Sequence, residues 1–152
     1  MQFSKIRTSV LSVVLSLSMG YALAGSQIRT DVADVVAAQS TWTSANASNY
    51  NFTLTQYCFC PTRNALRIEV RDGVVQRASD VFTGKPVADS DLKRLPTLNG
   101  LFDLVMDGYK RHAAVVQVQI NSQYSFPEKI FIDYDLRLAD EEARYQVTDF
   151  SR

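Results

Sequence analysis

Cys58 and Cys60 are the only two thiols in the 152-residue chain. Two sulfurs one residue apart, followed by Pro61, allow four states: a local disulfide, a dithiol that cycles between redox forms, a two-thiolate seat for a soft ion such as copper(I), or free thiols. Residues two apart in a regular strand point the same way with Cα atoms about 6.6 Å apart, near the upper limit for a disulfide. A bond there needs a bend. Pro61 supplies a reason for one, because it cannot donate to a ladder and holds Cys60 extended. Closing so short a loop contributes only about 1.6 kcal/mol through chain entropy, so stability is a weak reason for the bridge. Strain makes such a bridge easier to reduce, which keeps a redox role open. Against that role, redox pairs usually occupy C-x-x-C at a helix start, where the dipole lowers a thiol pKa, whereas these flanks read as strand and proline. Copper(I) would want a third ligand, His112 or a methionine, and no spacing brings one near. A local structural disulfide is the expected state, with redox and copper(I) chemistry as alternatives.

Other residue types carry less. His112 is the only histidine; it follows Lys110 and Arg111 at the end of a helical pattern, where a cation suits the dipole, and reads as an exposed helix-end residue rather than a ligand or base. Asp133, Asp135, Asp140, Glu141 and Glu142 make an acidic cluster. They lack the spacing and central glycine of a calcium loop and read as solvated, and glycoside chemistry would require a cleft around them. No G-x-S-x-G, H-E-x-x-H or phosphate-cradling glycine loop occurs. No serine or aspartate stands out as a triad partner for His112. The sequence therefore assigns no catalytic residue, no metal site and no cofactor. Asn46-Ala-Ser48 and Asn51-Phe-Thr53 match the glycosylation triplet, which reads as chance in a bacterial-type protein.

The compartment follows from the first residues. Lys5 and Arg7 form a basic head, residues 10–23 are mostly apolar, no acidic residue precedes Asp31, and Ala22-Leu23-Ala24 has the A-x-A form a signal peptidase reads. The expectation is a cleaved signal peptide over residues 1–24 and a single domain over residues 25–152, released into the periplasm or medium. The leader is broken by Ser12, Ser16, Ser18 and Gly20 and is shorter than the ~20 apolar residues a membrane span needs. No later segment is apolar enough to span a bilayer, and no cysteine follows the leader to take a lipid. Loss of Lys5 and Arg7 with the leader takes 16 basic residues to 14 against 16 acidic, a net charge of −2. That balance gives no general attraction to phosphate backbones or anionic lipid, and the pairs Lys93-Arg94 and Lys110-Arg111 are too short for a nucleic-acid footprint.

The elements that must position these residues are readable from period. Residues 30–45 place Val32, Val35, Val36 and Trp42 on one helical face, with Thr30 or Asp31 as the cap and Asp34 in the first turn. Residues 50–56 alternate Tyr50, Phe52 and Leu54 with Asn51, Thr53 and Thr55, a half-buried strand. Asp72-Gly73 between two alternating runs, 66–71 and 74–78, is a hairpin signal because both turn positions need positive φ. Residues 81–96 read as a connection with one helical turn near Leu92. Thr97 then caps a helix with Leu98, Leu101, Phe102, Val105, Met106 and Tyr109 on one stripe. Three more alternating runs follow, 114–121, 129–134 and 144–150. The order α-β-β-β-α-β-β-β predicts an α+β fold, two helices packed on one face of a mainly antiparallel sheet.

With those residues placed, the chain resembles a bacterial family of exported proteins known only as domain of unknown function 6174. The resemblance rests on Tyr50-x-Phe52 leading to Cys58-Phe59-Cys60-Pro61, on Val70-Arg-Asp-Gly-Val-Val75, and on Pro96-Thr-Leu-Asn-Gly-Leu-Phe-Asp-Leu104. It continues through Phe126-Pro127, Ile130, Ile132-Asp-Tyr134, and Ala139-Asp-Glu-Glu142 with Tyr145 and Val147. Where the family shows Tyr-Asp and then Gly-Tyr-Pro, this chain has Ile120-Asn121 and then Ser125-Phe126-Pro127; a ligand that used that acid would lose it here. The resemblance implies a compartment and a fold type, and no activity. The expected role is non-catalytic, the binding of a protein or cell-envelope component through the open sheet face or its loops.

Overall fold

The computed structural model describes residues 29–57, 65–138 and 141–152. In order, the elements are α1 (Val32–Ser44), β1 (Tyr50–Tyr57), β2 (Leu66–Arg71), β3 (Val74–Asp80), α2 (Asp89–Leu92), α3 (Leu98–Lys110), β4 (Val115–Ile120), β5 (Pro127–Asp133) and β6 (Glu142–Ser151). Six strands form one antiparallel sheet in the order β3-β2-β1-β6-β5-β4. The two halves of the chain therefore share a continuous sheet, joined where the last strand returns to the first.

Alternation dictates which side chains point together, and three bulges reset it. Opposite Glu69 and Val70 the register shifts, so Val75 and Ala78, three apart, are both buried. A shift between Gln119 and Ile120 does the same for Pro127 and Ile130, and one between Asn51 and Thr53 brings buried Val147 and half-buried Phe150 to one face, with Asp149 at φ 51. Each extra residue adds one to the period and re-aims the rest of its strand. Phe150 thereby joins Trp42, Tyr50, Tyr124 and Phe126 in a cluster of edge-on and tilted rings with centroids 4.7–5.9 Å apart.

Helix α1 is capped by Asp31, whose Oδ1 accepts from Ala33 N at 2.8 Å. Thr30, the other expected cap, instead holds the sheet edge: its N–H donates to Val116 O, and its hydroxyl accepts from Val118 N at 2.8 Å. The buried stripe of α1 is Val35, Ala38 and Trp42, while Val32 and Val36 are 41% and 48% exposed. This corrects the expected face: with valines at 32, 35 and 36, hydropathy alone cannot choose the stripe, and the bulk of Trp42 does. Trp42 Nε1 donates to Asn99 Oδ1 on α3 at 2.7 Å.

Helix α3 starts as expected, Thr97 Oγ1 accepting from Gly100 N at 3.1 Å. It buries Leu98, Leu101, Phe102, Val105 and Gly108. A Cβ at Gly108 would lie 3.3–3.4 Å from Ile132 and Val116, so the missing side chain is what lets α3 settle onto β4 and β5. α3 ends in a left-handed cap at His112 (φ 56), with His112 N donating to Tyr109 O and Ala113 N to Gly108 O. The Asp72-Gly73 turn has φ 52 and 75, as the hairpin required. The short helix α2 follows a segment that turns back along β3, where Pro86 bridges Ser79.

Candidate functional site: the outward face of the sheet

The face that α1 and α3 contact carries the core. On the other side, cross-strand register aligns two rows of side chains. One runs Tyr57, Arg144, Phe131, Gln117, and the next Thr55, Gln146, Lys129, Gln119. All of these but Thr55 line a groove of about 410 Å³, bounded by Thr30 beyond the β4 edge. Its chemistry is amide, cation and aromatic ring. Arg144 lies with its guanidinium carbon 4.5 Å from the centre of the Phe131 ring and bonds Glu142 at 2.9 Å. Gln119 Nε2 donates to Glu128 at 3.1 Å. A second groove, of about 400 Å³, is lined by Asn51, Arg67, Glu69, Gln76 and Arg77 together with Pro86, Val87 and Asp89. Between the two sits Thr53, buried, its hydroxyl without a hydrogen-bond partner.

Cys58 and Cys60 lie outside the described residues, directly after Tyr57 at the end of β1, and Asp140 lies outside them too. The rest of the acidic cluster does not converge. Asp133 is buried at the end of β5, across from Val115 and Glu142, with Oδ1 unpartnered. Asp135 is taken by Arg137 through two bonds of 2.9 and 2.8 Å, which hold its carboxyl at about 2, below the ordinary 3.8. Glu142 pairs with Arg144, and Glu141 is exposed. Among the described residues no three metal-ligating side chains form a group. His112 is exposed at the α3 cap; its left-handed backbone is what the helix end requires of it.

Asn121, where the resemblance has an acid, builds the β4 to β5 turn: Oδ1 accepts from Gln123 N at 3.1 Å and Tyr124 N at 2.9 Å. A carboxylate fills that acceptor role too, but Asn121 Nδ2 also donates to Glu128 Oε1 at 3.1 Å, a bond that only the amide makes. On the helix side, Gln56 Nε2 donates to the Tyr145 hydroxyl at 3.3 Å, and Tyr134 reaches Asp107 at 3.4 Å beneath Arg111. Burial pushes both tyrosine hydroxyls above their ordinary value; the neighbouring Tyr134 adds to the effect on Tyr145, and Arg111 opposes it on Tyr134.

What these features define is an α+β protein with a six-stranded antiparallel sheet and no assembled catalytic constellation among its described residues. The chain belongs to a family of unknown function, DUF6174, whose model matches residues 34–152. No curated protein and no solved structure matches it. The groove residues escaped the sequence reading because each is an ordinary outward strand position. The one available signal was the repetition of glutamine, at 117, 119 and 146, where charged residues would serve solubility as well.

Proposed function

We propose that this protein is an exported, non-catalytic binding domain. In this reading residues 1–24 are removed, the two long helices leave one sheet face free, and an extended segment of a protein or envelope polymer lies across that face. The observation that carries it is the groove on β1, β6, β5 and β4, where side-chain amides of Gln117 and Gln146 have no protein partner among the described residues and Phe131 and Tyr57 offer ring surface. Unpaired amides supply donors and acceptors that orient a polar ligand, and rings add contact area at low entropic cost. Lys129 adds a cation to the same floor.

The test has two parts. N-terminal sequencing of the natural product is expected to begin at Gly25. A photocrosslinker placed at Gln117 or Lys129 in the native compartment is expected to form a discrete adduct that is lost on Phe131→Ala, and one at Thr41 on the exposed side of α1 is expected to form none. Equal adducts from both faces, or none from the groove, overturn the binding face; a natural chain beginning at Met1 overturns export.

A further inference from the structure

The composition of the groove on β1, β6, β5 and β4 selects among the ligands that an open sheet face could take. Its two lining cations, Lys129 and Arg144, sit among carboxylates: Glu142 bonds Arg144 at 2.9 Å, and Glu128 accepts from the amides of Gln119 and Asn121, both at 3.1 Å. No cationic surplus is left to select an acidic polymer. What remains unspent is neutral. Among the described residues the side-chain amides of Gln117 and Gln146 make no hydrogen bond, and Tyr57 is 53% exposed. Main-chain recognition is closed off beside them. Thr30 N–H donates to Val116 O at 2.8 Å, and the Thr30 hydroxyl accepts from Val118 N at 2.8 Å and donates to Val118 O at 3.4 Å. These bonds occupy the outer edge of β4 where the groove meets it, so a peptide strand cannot add there, and peptides that bind sheets draw affinity from such edge bonds. On the face itself the main-chain groups are spent on neighbouring strands, and a ligand meets side chains alone.

Neutral side chains that both give and receive hydrogen bonds, set beside an exposed ring, match the chemistry of sugars. A primary amide carries two donors and an acceptor on one planar head, which suits adjacent hydroxyls that are each donor and acceptor. An exposed aromatic ring suits the apolar C–H face of a pyranose. Register sets the reach. Tyr57, Arg144, Phe131 and Gln117 cross four adjacent strands in one row, about 14 Å from end to end, with Gln146 and Lys129 in the row beside it. A chain of a few sugar rings spans that distance. We infer that the groove binds a neutral glycan strand, held by Gln117 and Gln146 through its hydroxyls and by Tyr57 through a ring face. The inference rests on the binding-face reading and names its ligand: of the protein segment and the polymer open to that face, it selects the polymer.

The test is a titration of residues 25–152, which hold every described element, with neutral oligosaccharides of glucose, N-acetylglucosamine, mannose and galactose, followed by side-chain amide NMR signals. At least one sugar is expected to shift the signals of Gln117 and Gln146 while leaving in place that of Asn99, which bonds Trp42 on the helix side. Gln146→Ala and Tyr57→Ala are each expected to weaken binding about fivefold, with circular dichroism confirming fold. Tyr57→Phe is expected to keep it, since the ring carries the contact and the hydroxyl does not. Oligoglutamate and a neutral serine-alanine peptide are expected to move neither glutamine. Silence from every sugar, an equal response to either peptide, or full binding by Tyr57→Ala overturns the glycan assignment. The binding face fails separately: a groove crosslink to a polypeptide with the sugars silent sinks the glycan alone, whereas no groove adduct and no shift sink the face as well.

Discussion

The two faces of the sheet are made by the same six strands, yet they are held by different forces. On the helix side, side chains interlock: Trp42 is 2% exposed, meets Tyr50, Phe126 and Phe150 edge-on, and ties α1 to α3 through Asn99. On the outward side, contacts run mainly along and between strands, as from Arg144 to Glu142 and Phe131, and Gln117, Gln119 and Lys129 remain exposed. Packing determines the first face residue by residue, whereas the second is free to be determined by what it meets. Substitutions should therefore separate stability from binding according to face.

The largest effect belongs to Trp42. Trp42→Ala removes the indole from the ring cluster and the Asn99 bond with it, and denaturant unfolding is expected to show a loss of about 3–5 kcal/mol. A loss below about 1 kcal/mol would mean that the helix side is not held by packing. Thr53 is the exception on the outward face, buried between Arg67 and Thr148 with an unpartnered hydroxyl. Thr53→Val keeps the β-branched shape and removes the orphan, so the protein is expected to gain about 1 kcal/mol; a loss would reveal a bond that the hydroxyl makes in solution. Ser125 (φ 62) and His112 (φ 56) both hold the left-handed conformation that glycine adopts without strain. Ser125→Gly and His112→Gly are each expected to add about 0.5–1 kcal/mol, and a gain at His112 with binding unchanged fixes its role as a helix cap. Gln117→Ala is expected to stay within about 0.5 kcal/mol of wild type in unfolding, with the crosslinked adduct weakened.

Local chemistry made parts of this fold legible. Asp72-Gly73 declared its turn because few other pairs accept two positive φ values, and Thr97 declared a helix start because its hydroxyl replaces a missing acceptor. The α1 face was misread at Val32 and Val36, since three valines within one turn and a half satisfy two stripes about equally. Bulges were invisible for a related reason: one inserted residue converts Val147 and Phe150 from opposite faces to the same face, and nothing in their side chains marks the insertion. The site was harder still. Cys58 and Cys60 stand out in sequence because thiols carry chemistry wherever they lie, whereas a groove arises only when distant strands meet, as Gln56 and Tyr145 do across 89 residues. The open face could be foreseen from alternation, but its lining could not, since it depends on the β1 to β6 pairing that no local pattern announces.

The smallest effect sharpens the contrast at the sheet's end, where turns are held neither by packing nor by cross-strand neighbours. Asp135 is exposed enough that its pair with Arg137 carries little stability, yet the two side-chain bonds and the backbone bond from Arg137 hold the carboxyl at about 2. A folded pKa below the ordinary 3.8 means that whatever the pair contributes is present above that value and fades as pH falls toward 2. A carboxyl-carbon titration by NMR is expected to place Asp135 near 2, and Arg137→Gln to bring it partway back toward 3.8, leaving the bond from the backbone N–H at position 137 in force. If wild-type Asp135 titrated at its ordinary value, the turn that carries Leu136 and Leu138 between β5 and β6 would not be held by this carboxylate.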